Sequence, residues 1–166
     1  MPLIVEDGSM PDGANSYASV AMADDYFSAR GNTAWTGLST EQKEAALVRG
    51  ADFLNGLRWP GRKVAQRTMA WPRSDAQDGD GYSIAPNAVP EPVVRACCYL
   101  AGQYGSGSDP LAPRDRKLSS ISVGAISLAW EGGQGDMNMA EKFPELASIL
   151  GGLLSLPGLV RRLVPA

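Results

Sequence analysis

The sequence predicts a mainly α fold: a small bundle of three to four helices with a β-hairpin and extended N- and C-terminal arms. Three observations carry this. Apolar residues recur at helical spacing in several stretches, each with its own start or stop residues. Between two of these stretches, residues 58–84 break the pattern and gather Trp-Pro pairs, cations, Asp and Gly. Beyond residue 116 the apolar period changes to two.

Taken in order, Leu3-Ile4-Val5 is a short β-type run before a Glu-Asp-Gly turn, either a terminal strand or an arm laid on a neighbour. Ser19 is placed to cap a helix that carries Val20, Ala23, Tyr26 and Phe27 on one face and stops at Gly31. Asp24 and Asp25 are expected to face water. Trp35 falls in the loop that follows. Ser39 and Gln42 have capping-box spacing, opening a helix over about 40–57. Leu47, Ala51 and Leu54, with Phe53 and Leu57 beside them, form its apolar stripe, and Glu41, Lys43, Glu44 and Arg49 its solvated side. Gly50 interrupts this pattern, and a close helix–helix contact would explain it. Pro90 and Pro92 sit at the head of a third helix running to about Tyr104, with Val93, Cys97, Leu100 and Tyr104 in step and Val94, Cys98 and Ala101 alongside.

Residues 1–104 thus form the expected helical core. Residues 105–116 read as a flexible linker. Residues 117–166 hold the alternating run Ile121, Val123, Ile126, Leu128 and Trp130, read as a β-hairpin, then a last helix from Pro144 through Leu146, Ile149, Leu150, Leu153 and Leu154. An apolar and basic tail closes the chain (Leu159, Val160, Arg161, Arg162, Leu163, Val164) and is expected to dock on a partner.

Composition narrows the function. The 44% apolar fraction is that of a globular chain, and 166 residues suit one domain. A net charge of -3 gives no global basic field for nucleic acid, so such contact must come from a local patch. There is no His, which removes the usual general base and the commonest zinc ligand. Cys97 and Cys98 are adjacent, a poor geometry for a structural disulfide, which points to an intracellular chain. No signal peptide or membrane span is expected. Asp75, Asp78 and Asp80 with Gly81 do not make an EF-hand: in that register Ala76 takes position one and Asn87 position twelve. No phosphate-binding Gly loop appears. The expectation is a non-enzyme without a cofactor or a metal.

The loop at 58–84 is the one constellation with chemistry. Arg58, Arg62, Lys63, Arg67 and Arg73 are cations with no acid among them, while Trp59, Trp71 and Tyr82 are its aromatic anchors. Two readings are open. Trp59 and Trp71 either plug the core, leaving the cations to pair with Asp75, Asp78, Asp80 or another chain, or they offer faces on which bases stack while the cations track phosphates.

In order along the chain, LIVEDGS (3–9), ANSYASV (14–20), DDYFSARGN (24–32), Trp35, EAALVRGADFLNG (44–56), WPGR (59–62), AWPR (70–73), DGDGYSI (78–84) and VPEPVVRACCYLA (89–101) make a set. It resembles a family of tailed-bacteriophage head–tail connector (adaptor) proteins, whose profile also carries the label "putative DnaT-like single-stranded DNA-binding protein". The resemblance implies a structural protein of the virion, made in the host cytoplasm. It implies a ring, typically a dodecamer, seated under the portal protein and joined to a downstream tail or neck protein, with double-stranded DNA passing through its lumen. The five loop cations would then face DNA or a neighbouring subunit, and the tail at 159–164 would dock on the portal. The competing label implies a replication-type single-strand binder, and a structural domain with another partner is a third reading.

Overall fold

The computed structural model describes residues 2–108 and 144–154. Among them are four α-helices, α1 (Val20–Ser28), α2 (Thr40–Asn55), α3 (Glu91–Gly105) and α4 (Pro144–Leu150), with a 3-10 turn at Trp35–Gly37. Two short strands, β1 (Arg62–Lys63) and β2 (Arg73–Ser74), pair antiparallel with Arg62 opposite Ser74 and Lys63 opposite Arg73. The class is mainly α with a small hairpin, as the sequence predicts. The observed hairpin, however, lies inside the basic-aromatic loop. The hairpin expected at 121–130 and the docking tail at 159–164 lie outside the described residues. No described helix is long and apolar enough to cross a membrane.

Helices α2 and α3 lie along each other as the main pair; α1 packs against both and α4 against α3. The α2 stripe is buried as expected at Leu47, Ala51, Phe53 and Leu54. Its partner face on α3 is Val93, Ala96, Cys97, Leu100, Ala101 and Tyr104. Gly50 lies at their closest approach: a Cβ there would stand 2.9 Å from the Cys97 carbonyl oxygen and 3.4 Å from the Ala101 nitrogen. The glycine costs α2 helical propensity, and the contact returns it as tight backbone packing.

The helix ends are chemically defined. Ser19 Oγ accepts from Met22 N, and Ser39 and Gln42 form the reciprocal capping box. The α1 spiral stops at Ser28, three residues before Gly31, yet Gly31 acts as its terminator. Asn32 N donates to Phe27 O at 3.0 Å and Gly31 N to Ser28 O at 3.1 Å, the paired bonds of a Schellman end, with Gly31 at φ +64°.

Three local expectations change. The N-terminal arm is laid on this chain: Ile4 O accepts from Asn15 N and Ser16 N, and Glu6 N donates to Ser16 O. Glu6 is buried within the turn, where its Oε1 takes the Gly8 and Met10 N–H groups. Asp24 does not simply face water; its Oδ1 accepts from Trp35 Nε1 at 2.6 Å and Lys43 Nζ at 2.8 Å. The Lys43 bond holds the Asp24 carboxyl below its ordinary pKa, with the Trp35 bond acting the same way against burial. Lys43 is accordingly drawn off the solvated side of α2, its side chain only 13% exposed.

Gly50→Ala tests the helix contact. Alanine gains about 1 kcal/mol of helix propensity, but the forced separation from α3 is expected to cost roughly 1–3 kcal/mol. Urea unfolding should show a net loss of stability; a gain would contradict the close approach.

Candidate nucleic-acid interface

The loop at 58–84 folds back on the core because a single phenol organises it. Tyr17, 1% exposed, receives the Ala70 N–H at 2.8 Å and the Trp71 N–H at 3.2 Å on its hydroxyl oxygen. The same hydroxyl donates to Asn55 Oδ1 at 2.6 Å, and that oxygen also accepts from Ala70 N at 2.8 Å. Asn55 is the last residue of α2, so the loop is tied to the end of the helix that precedes it. Burial pushes the Tyr17 hydroxyl up to about 12, against the pull of the two N–H bonds, so it stays protonated and able to donate.

Trp59 and Trp71 are plugs. They are 7% and 1% exposed and meet edge to face at 5.7 Å between ring centres. Trp59 Nε1 donates to Leu54 O at 2.9 Å. Trp71 Nε1 is buried without a hydrogen-bond partner among the described residues. The Trp71-Pro72 peptide bond is cis. Of the two readings of these residues, the core plug is the observed one; neither ring has a free face for a base. Tyr82 is not an anchor. It is 73% exposed at the acidic turn, where Asp78 Oδ1 binds the Asp80 and Tyr82 N–H groups. That carboxylate caps a turn, and among the described residues no group of three His, Cys, Asp or Glu is arranged to hold a metal ion.

The five cations divide into two sets. Arg73 is an internal clamp: Nε donates to Pro60 O at 2.6 Å, Nη2 to Gly61 O at 2.8 Å and Nη1 to Ala70 O at 3.1 Å. A planar guanidinium spanning three carbonyls fixes the neck of the hairpin. Gly61, at φ +69°, turns the chain there, and a Cβ would collide with the Ser74 carbonyl oxygen at 2.2 Å. Arg67 reaches back to the N-terminal loop, bonding Met10 O at 2.7 Å and pairing with Asp12 at 3.1 Å rather than with the acidic turn. The second set is displayed. Arg58 and Arg62 are exposed, with no side-chain bond to the described residues, and exposed Lys63 makes one bond to the Arg67 carbonyl. Sequence reasoning treated the five cations alike because it could not see which carbonyls come within reach. Tyr17 and Asn55, the residues that set the loop's path, were missed. Asn55 carries only the signal of a polar residue closing α2, and Tyr17, upstream of α1, carries none that links it to the loop.

Cys97 and Cys98 are free and buried. Burial pushes their thiols up to about 11 and about 12, so they are held protonated and poorly nucleophilic.

Over residues 1–164 the chain matches the family described as "Putative DnaT-like ssDNA binding protein". The chain belongs to that family. Neither the curated proteins nor the solved structures contain a match. The likeness to head–tail connectors has no counterpart in these comparisons.

The Tyr17 knot predicts a direction with pH. Between an ordinary phenol pKa of 10.0 and about 12, the unfolded chain releases the Tyr17 proton while the folded chain keeps it. Stability therefore falls as pH rises through that window. Cys97 and Cys98 add a fall that begins near the ordinary thiol value of 9.0. Tyr17→Phe, which strips Trp71 N–H of its acceptor, should cost roughly 1–3 kcal/mol at neutral pH and show a shallower alkaline loss in thermal melts. An unchanged slope would show that Tyr17 does not contribute.

Proposed function

We propose that this protein binds single-stranded DNA through the phosphate backbone, with Arg58, Arg62 and Lys63 as the contacting cations. Family membership over nearly the whole chain is the observation that carries this reading. The three displayed cations supply the means: they sit together in sequence around β1 and are exposed. With Trp59 and Trp71 committed to the core, the loop's tryptophans offer no stacking face, and Tyr82 at the acidic turn is its exposed ring. Binding on this face is sequence-tolerant and strongly salt-dependent. The overall charge of -3 leaves little long-range attraction, so the local cations must act at close range.

A second reading is favoured by the same burial. A basic hairpin without free aromatic faces also suits a ring subunit that lines a channel, where DNA must slide. In that reading the chain is a head–tail connector of a phage virion. It forms a ring, typically dodecameric, under the portal protein and joins it to a tail or neck protein, with the displayed cations facing passing duplex DNA or a neighbouring subunit.

Anisotropy titrations with single-stranded and duplex DNA at several salt concentrations separate the two. Three phosphate contacts give a log–log salt slope of about −2 on single strands, from roughly 0.7 per contact. Each of Arg58→Ala, Arg62→Ala and Lys63→Ala should flatten it by about 0.7, whereas Tyr82→Ala should not. Absence of single-strand binding, together with a symmetric collar when the protein is mixed with its cognate portal in electron microscopy, would overturn the first reading in favour of the second.

A further inference from the structure

Tyr82 is the ring of the 58–84 loop that the fold leaves uncovered. It is 73% exposed, and among the described residues no aromatic ring or cation lies over its face. A single exposed ring is ordinary on a protein surface. What distinguishes Tyr82 is how it is held and what stands near it.

The backbone of Tyr82 is fixed from both sides. Its N–H donates to Asp78 Oδ1 at 2.9 Å, and its carbonyl accepts from Asp78 N at 2.9 Å. Gln77 then bridges antiparallel to Ser83, and Ile84 N donates to Ala76 O at 2.9 Å. A ring carried on a braced turn has little freedom left to lose when a ligand covers it.

The same stretch of chain joins this turn to the displayed cations. Residues 73–78 pair with β1 at one end and with the Tyr82 turn at the other. Ser74, opposite Arg62, and Asp78, bonded to Tyr82, are four residues apart, at most about 14 Å of chain. Charge sorts the two ends. Arg58, Arg62 and Lys63 draw phosphates to β1, while Asp75, Asp78 and Asp80 hold them off the turn. The uncharged part of a nucleotide, its base, is what the turn can accept, and the ring there is Tyr82.

We infer that Tyr82 stacks on one base of a bound DNA single strand whose phosphates lie along Arg58, Arg62 and Lys63. This rests on the single-strand reading above and deepens it by naming the ring that the buried tryptophans do not supply. A duplex keeps its bases stacked and paired, so the ring favours single strands. The backbone cations alone do not.

The test compares a thymidine oligomer on the order of twelve nucleotides with an abasic oligomer of equal length, which keeps the phosphates and lacks the rings. The full chain should bind the thymidine oligomer roughly 5- to 150-fold more tightly for one stacked base. Tyr82→Ala should bring that ratio close to one, and Tyr82→Phe, which keeps the ring, should preserve it. Arg58→Ala and Arg62→Ala should weaken both oligomers alike. Tyr82 is exposed, so neither of its variants removes a core contact, and circular dichroism confirms the fold of each. Equal binding of the two oligomers by the unaltered chain, a ratio that survives Tyr82→Ala, or a ratio lost equally in Tyr82→Phe overturns the assignment. If the cation variants still weaken both oligomers, the backbone reading survives that failure. If neither oligomer binds, the single-strand reading falls and takes the Tyr82 assignment with it.

Discussion

The Tyr17 hydroxyl is the constraint on which the loop, and through it the surface chemistry, depends. It holds two successive backbone N–H groups of the loop and the side chain that ends α2. Those N–H groups belong to Ala70 and Trp71, so the bond sets where the second tryptophan enters the core. Once Trp71 is placed, Trp59 meets it edge on, and the chain between them must double back within a dozen residues. The short β1–β2 ribbon and the Arg73 clamp are the consequence. A buried hydroxyl is costly unless its bonds are made, and here both its donor and acceptor capacity are used.

This geometry divides the loop's chemistry. Arg73 and Arg67 are drawn inward or sideways to carbonyls, and their charges serve the fold. Arg58, Arg62 and Lys63 remain on the surface. Trp59 and Trp71 are instead part of the core itself, and Tyr82 is the exposed ring of the loop.

Much of the bundle was legible from residue pattern. Capping residues are local, so Ser19, Ser39 with Gln42, and Gly31 announced their roles. Helical periodicity marked Leu47, Ala51 and Leu54 on one helix and Val93, Cys97 and Leu100 on another as buried faces, and Gly50 signalled a close helix contact without naming its partner. The site was less legible because its geometry depends on contacts distant in sequence. Nothing near Arg73 says that three carbonyls converge on it, and nothing near Asp24 says that Trp35 and Lys43 close over it. Tyr82 has the composition of an anchor but sits on a turn whose apolar neighbours are few. Trp59 and Trp71 were open between core and surface because tryptophan suits both; what decides them is the tie to Tyr17, more than fifty residues upstream of Trp71.

Amide hydrogen exchange at Ala70 and Trp71 tests the central claim most directly. If the loop is bolted to the core through Tyr17, these two amides exchange only through global unfolding, as slowly as the amides of α2 and α3. Exchange at the rate of an open surface loop would contradict the account, freeing the tryptophans and returning them to the list of base-stacking surfaces.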